Sequence, residues 1–426
     1  MLREKLFAGA FVLIYVAIVA SVICRKPHGA PPERGGPETI TFWQAGSGEE
    51  RVQVIKRLIA DFEKENPDIH VKLKIIPWGQ KPHEKIQIAI ASRTEPDIAS
   101  VGSPFDKIIA DFGALQPLDS LLDKSTIEDF YTVTRFRDGV ASVPWFTDVR
   151  ALIYRKDYLR QAGVPEPRES WTWDQFVSYA KRLTKDTNGD GIVDVYGYAT
   201  TARYAYQFVV FIWQNGGSLY SPDGTRATVA SENSVEAVQF FVDLMKKHKV
   251  SPVFTTESLL IVRKMFAEGK VAMFMDCSDA VKAFLREPDL APKVGVGQIP
   301  HNKEYAAYSN YDALVIFRRS VHKKAAAKFL SFLVRPDNML LYAKVTGFSP
   351  SRRSVANNRY FQRDSLRAAF IKQAAVGRPW WMPPFTPTPS KILTRHVQMA
   401  IEGKLSVREA LERAQAAMNR EIGSLY

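Results

Sequence analysis

Ala141-Ser142-Val143-Pro144-Trp145-Phe146-Thr147-Asp148-Val149-Arg150-Ala151-Leu152-Ile153-Tyr154-Arg155-Lys156-Asp157-Tyr158 is where the chain changes character. A run of helix–strand alternation comes before it. A second run, rich in Trp, Tyr and Asn-Gly, comes after it. The stretch reads as an extended segment with alternating faces. Val143, Trp145, Thr147, Val149 and Ile153 share one side; Phe146, Asp148, Arg150, Leu152 and Tyr154 share the other. An aromatic ring, an acid and a base at the start of such a strand suit a polar ligand with apolar patches. A buried strand with a polar lip is the plainer alternative.

On the amino-terminal side, Ile40-Thr41-Phe42-Trp43 reads as a short strand running into Gln44-Ala45-Gly46-Ser47-Gly48. A helix follows from Glu49 to about Glu65, with Val52, Ile55, Leu58, Ile59 and Phe62 on one face. Asn66-Pro67-Asp68 stops it. Ile69 to Ile76 is the next strand, closed by Pro77-Trp78-Gly79; His83 to Ser92 is helical; Pro96 to Val101 is a strand again. This β-loop-α-β-α-β order belongs to an open α/β sheet, in which ligands collect beyond the carboxyl ends of the strands. Trp43 and Trp78 are read as stacking surfaces near those ends, and the Gly46-Ser47-Gly48 loop as an anion cradle or an ordinary turn.

On the carboxyl-terminal side, Thr172-Trp173-Asp174-Gln175 is a capping box opening a helix, so Trp171 and Trp173 are assigned to packing and capping. Asp186 to Asp194 places oxygen ligands at positions one, three, five and nine of a calcium-type loop, through Asp186, Asn188, Asp190 and Asp194. Gly191 is at six and Ile192 offers its carbonyl at seven. The twelfth position is Gly197, where a bidentate acid is expected. Calcium and a self-satisfied Asx turn both remain open. Ser406-Val407-Arg408-Glu409 caps the last helix.

The chain has 426 residues, of which 46% are hydrophobic and 24% charged, enough for two domains with sizeable cores. Net charge is +13, which permits acidic partners: nucleic acid, anionic lipid or acidic sugars. The basic residues are spread along the chain and form no basic–aromatic stripe, which argues against nucleic acid. Of two cysteines, Cys24 lies in an N-terminal apolar run, so Cys277 has no partner for a disulfide in the folded part. No zinc-type Cys/His spacing occurs.

Leu6 to Cys24 is continuously apolar between basic flanks, as in a signal peptide or an uncleaved membrane anchor. Ile23 before Cys24 is not the small residue of a lipoprotein signal. Residues 25–38 read as a Pro/Gly-rich tether, which places the remainder outside the cytoplasmic membrane.

Several segments together resemble the extracellular solute-binding proteins that feed sugars to ABC importers, the maltose-binding type. They are Ile40-Thr41-Phe42-Trp43; Glu95-Pro96-Asp97-Ile98; Phe112-Gly113-Ala114-Leu115-Gln116-Pro117-Leu118; Val143-Pro144 with Leu152-Ile153-Tyr154-Arg155-Lys156-Asp157; Trp171-Thr172-Trp173-Asp174; Gly216-Gly217; Gly269-Lys270-Val271-Ala272-Met273; and Gly403-Lys404-Leu405-Ser406. The resemblance spans nearly all of residues 39–426. It implies a two-lobed α/β fold of the periplasmic-binding-protein type (type II), hinged between lobes. One lobe would hold 39–137 and 301–347, the other 138–300 and 348–426. It implies a periplasmic or extracellular monomer that binds a mono- or oligosaccharide in the interlobe cleft, without catalysis, and delivers it to an ABC permease. Some members carry a calcium loop where Asp186 to Asp194 stands. Where relatives have a Gly-x-Trp segment, this chain reads Asp276-Cys277-Ser278-Asp279.

A saccharide offers C–H faces for aromatic rings and hydroxyl pairs for Asp, Asn, Arg and Gln, and a wrong sugar leaves buried polar groups unpaired. The candidates on the first lobe are Trp43, Ser47, Trp78, Asp97, Tyr308 and Asn310. On the second they are Trp145, Asp148, Arg150, Trp213, Asp276, Ser278, Arg352 and Trp381. Two rival functions are a polysaccharide-active enzyme, for which no catalytic signature is present, and a sugar-sensing partner of a membrane receptor.

Overall fold

The computed structural model describes residues 37–46, 48–77, 81–136, 139–167, 169–379 and 388–423. The N-terminal apolar run, the tether up to residue 36, Ser47, Trp78 and Trp381 lie outside the described residues. Among those described, no helix is long and apolar enough to cross a membrane.

Strands β1 (Glu38–Ala45), β2 (Ile69–Ile76) and β3 (Ile98–Gly102) are parallel, with β1 between the other two. Parallel neighbours need crossover connections. The helices Glu49–Glu65 and Pro82–Ser92 supply them, as the sequence predicts. Val54, Ile55, Leu58, Ile59 and Phe62 of the first helix enter the core on one face of the sheet; Ile86 of the second enters a smaller core on the other. A sheet covered on both faces accounts for the buried, near-continuous apolar reading of β3.

The short β4 (Thr134–Phe136) pairs with β5 (Gly139–Val149), which enters this sheet beside β9 (Ala307–Ile316). The path of the sheet is β10-β5-β9-β3-β1-β2, with β10 (Ser349–Pro350) at one edge and β11 (Gly377–Arg378) on the near end of β9. In the second lobe β6 (Ala151–Arg155) runs antiparallel between β7 (Met273–Asp276) and β8 (Val294–Gly297). A helical shell surrounds it, and one hydrophobic core joins them. Trp171 and Trp173 are buried there, and Thr172 and Gln175 form the expected reciprocal cap.

The chain passes between the two large cores at 146–149, 308–314 and 361–369. The boundary expected at 138 therefore lies about a strand later. Val140, Val143, Trp145 and Phe146 belong to the first core, and so do Val355 and Phe361, placed by sequence in the second lobe. The reason is the length of β5 and β9. Each starts in one lobe and ends in the other, and their antiparallel pairing carries the hydrogen-bond ladder across the junction.

Candidate functional site

β1, β2 and β3 all end at one rim of the first lobe, and β5 and β9 continue past it. Beyond the rim Asp148 lies opposite Asn310 and Val149 opposite Ser309. Arg150 follows, its backbone N–H donating to the Tyr308 carbonyl at 2.9 Å. Its guanidinium donates to Asp148 Oδ1 at 2.7 Å and lies over the rings of Tyr206 (4.9 Å) and Tyr308 (5.9 Å). Tyr206 itself stacks on Tyr308 at 5.0 Å. Burial works against the Arg150 charge, but Asp148 together with Cys277, Tyr206 and Asp276 outweighs it and holds the pKa well above the usual arginine value. Burial pushes the Tyr206 hydroxyl up to about 12. Arg150 Nε is buried without a hydrogen-bond partner in the protein.

Beside this cluster, between the lobes, is a cavity of about 490 Å³. Gly46, Glu50 and Arg51 line it from the first lobe, with Phe348, and Asp279 and Arg286 from the second. Arg51 is not among the candidates read from the sequence. Its guanidinium is held between Phe146 and Phe348, at 5.0 and 4.8 Å from the ring centres. Asp312 Oδ2 lies 3.6 Å from it, and the Ala45 carbonyl accepts from it at 3.4 Å. On the facing wall Arg263 grips Asp276 at 2.6 and 3.0 Å and reaches Asp279 at 3.4 Å. Each of these cations is thus matched by an acid: Arg51 by Asp312, Arg150 by Asp148, Arg263 by Asp276 and Asp279, Arg286 by Glu50. The net charge of the chain does not extend to the cleft, which removes the ground for expecting an acidic sugar.

Burial pushes the Asp312 carboxyl up to about 6 against the pull of Arg51. The fold therefore favours its protonated form. Stability from this group is fully present below about pH 3.9, where the unfolded chain also holds the proton, and is lost as pH rises from there through about 6. Asp312→Asn should abolish that fall. Between pH 4 and 7 its unfolding free energy should gain on wild type by on the order of 2–3 kcal/mol. Urea unfolding across that range measures it, and parallel profiles for the two proteins would contradict the assignment.

Other expected site residues lie elsewhere. Trp145 is buried in the first core on the same side as Val143, as the alternation of β5 has it; β5 bulges between Pro144 and Phe146 and brings Phe146 to that side too. Trp43 is the sixth of the eight residues of β1, half-buried against the smaller core, with Lys74 Nζ 3.9 Å over its ring. Asp97 precedes β3, at the end away from the rim, and accepts from Thr41 and Ser320. Arg352 is buried in the first lobe between Asp129 and the Val334 carbonyl. Of these four, Trp145, Asp97 and Arg352 are held inside the first lobe by packing or by its own hydrogen bonds.

Asp276 is wholly buried beneath the cleft wall in the grip of Arg263. Tyr308 lies under Tyr206, and Asn310 accepts from the Ser103 hydroxyl. Ser278 lines a narrow gap with Phe348, and Trp213 a separate cavity of about 250 Å³ with Tyr220 and Arg378. Asp148 and Arg150 remain at the junction itself.

The 186–194 loop is exposed and turned onto its own backbone. Asp186 accepts from Gly189 and Gly191, Asn188 from Asp190, and Asp190 from Ile192. Asp194 accepts from Thr187, not toward a common centre. A Cβ on Gly197 would meet the Ala180 carbonyl oxygen at 1.9 Å, so the twelfth position has no room for an acid. Among the described residues no group of three or more His, Cys, Asp or Glu converges as a metal site. The donors do not fit a tightly held calcium ion.

Residues 45–340 match the family model described as bacterial extracellular solute-binding protein. The chain is 25% identical over 339 residues to a putative ABC transporter periplasmic-binding protein, YcjN, of Escherichia coli strain K12, covering 76% of this chain and 75% of that one. Among solved structures, the sugar-binding protein MalE of Xanthomonas citri superposes with a TM-score of 0.81 at 25% identity, covering 91% of this chain and 98% of that one. An ABC transporter solute-binding protein of Thermotoga lettingae, bound with α-D-tagatose, gives 0.74 at 25% identity over 90% of this chain and 100% of that one.

Proposed function

Since the chain belongs to the bacterial extracellular solute-binding proteins, we propose that it binds an uncharged mono- or oligosaccharide between its lobes and delivers it to an ABC permease. The observation that carries this reading is the cavity between the lobes, walled by Arg51 and Phe348 on one side and Asp279 and Arg286 on the other, with the Asp148–Arg150–Tyr206 cluster at the same junction. An acid and a buried guanidinium fork onto hydroxyl pairs, and the tyrosine and phenylalanine rings offer faces for C–H surfaces. Because the cluster sits where the lobes join, a sugar that touches it gains most when both walls close on it. That is the differential affinity closure requires. The ligand leaves unchanged, as in binding proteins. The apolar run at 6–24 is the segment that carries the chain across the membrane or holds it there, and the folded part works outside, as one copy per sugar, presenting the closed form to the permease.

A thermal-shift panel of neutral and acidic oligosaccharides tests the reading. A matching neutral sugar at about 100 times its Kd should stabilise the protein by about 2.7 kcal/mol, with uronates giving less, and mass spectrometry should recover the sugar intact. A panel with no response, or turnover of any member, would overturn it. Repeating the panel with chelator bears on the 186–194 loop. A weak, exposed calcium site is the strongest role its donors support. An ion present at its own Kd would add only about 0.4 kcal/mol, and a larger loss on chelation would assign calcium a structural role.

A further inference from the structure

Glu50 stands on the first lobe, in the opening turn of helix Glu49–Glu65, whose next turns pack into the first core. Its carboxylate is gripped by two cations of the other lobe. Lys282 Nζ donates to Oε2, and Arg286 Nη2 donates to Oε1 at 2.5 Å. Lys282 belongs to helix Ser278–Phe284, whose Val281 and Phe284 are part of the second core. The same ammonium donates to the Val345 carbonyl, at the end of helix Pro336–Thr346 on the first lobe. Gly347 ends that helix with φ of 84°, and a Cβ there would press on Lys282 Cδ at 3.2 Å. The absent side chain leaves the lysine stem a path across the junction. Glu50 and Arg286 also line the cavity, so the contact forms its rim.

We infer that Glu50 is the closing residue of the cleft: with Lys282 and Arg286 it forms a charged latch that biases the unliganded protein toward its closed arrangement. It acts through lobe position and not by touching ligand, so it is a positioning residue. Pairs this exposed contribute little to folding. A hinge whose two states differ by little is another matter, because a small differential contact shifts their ratio directly. Removing the latch should change the closed-to-open ratio by up to about fivefold for each ion pair lost, the scale of such pairs. Because the latch is ionic and its rim exposed, salt should act as the mutation does. The affinity for an uncharged sugar, which would otherwise ignore ionic strength, becomes salt-dependent. That last consequence alone rests on the saccharide reading.

Small-angle scattering of the unliganded protein tests the latch without any sugar. Between about 10 mM and about 1 M salt the Debye length falls from about 30 Å to about 3 Å. Wild type should expand over that range. Glu50→Gln should be expanded at both salts, and Glu50→Asp should recover part of the compact form. Glu50 also complements the dipole of its own helix, so the same result is required of Arg286→Gln, which leaves that helix intact. Superimposable scattering of wild type, Glu50→Gln and Arg286→Gln at both salts would overturn the latch, as would expansion by Glu50→Gln alone. A silent sugar panel with a salt-dependent shape would instead reject the ligand and keep the latch.

Discussion

Arg150→Ala should lower the unfolding free energy of the protein by about 3–5 kcal/mol, the cost of breaking a buried ion pair from one side, and should abolish saccharide binding. The guanidinium is a buried cation at the junction of β5 and β6, bonded to Asp148 and stacked over Tyr206 and Tyr308. Asp276 and Cys277 lie close enough to feel its charge. Its removal takes away the cation that lies over the stacked Tyr206 and Tyr308 rings and leaves Asp148 without its ion-pair partner. Arg150→Lys keeps the charge but not the flat surface that stacks on tyrosine or the fork that meets a carboxylate. It should recover part of the stability and little of the binding. Urea unfolding and titration calorimetry with a sugar found by the panel separate the two effects. An alanine variant as stable as wild type would remove Arg150 from the junction, and one that still binds with full affinity would remove it from the site.

The parts of this fold that the sequence made legible are those governed by local periodicity. The helix Glu49–Glu65, the strand Ile69–Ile76 and the reciprocal cap at Thr172 and Gln175 were all readable because each depends on a neighbour three or four residues away, or on strict alternation. Two lobes were readable because the pattern restarts after the 141–158 stretch. What escaped were features set across long separations.

The bulge at 144–146 breaks the alternation of β5 and brings Phe146 to the core side beside Trp145, and only the register with β9 reveals it. Asp312 and Arg51 are far apart in sequence, and their pairing at the cavity is a product of the sheet order. An acid at the head of the apolar run Ala313 to Phe317, and a base just past a Gly-Ser-Gly loop, were the signals on offer. Asp97 could have been placed from sequence alone, since it precedes the strand whose other end faces the ligand.

Trp145→Ala should cost about 3–5 kcal/mol of stability, as large aromatic truncations in a core do, and leave the sugar affinity of the folded protein within about threefold of wild type, as expected of a residue that no ligand touches. A stacking platform behaves the opposite way, losing affinity with stability intact. The indole is almost fully buried, 4.4 Å from the Tyr342 ring and 6.3 Å from that of Phe42. Its Nε1 has no hydrogen-bond partner. Trp145→Phe therefore gives up volume but also removes an unsatisfied donor, and should cost only about 1–2 kcal/mol. The modest loss of affinity follows from what the indole supports. Trp145 packs on Tyr342, Tyr342 stacks on Phe146, Phe146 stacks on Phe348, and the last two hold Arg51 at the cavity wall. The aromatic residue expected to grip the ligand instead lies at the far end of a stack of rings whose near end positions a cation beside it. Guanidinium denaturation with affinity measured well below the transition tests this division of labour. A Trp145→Ala protein of undiminished stability that no longer binds sugar would return the indole to the cleft.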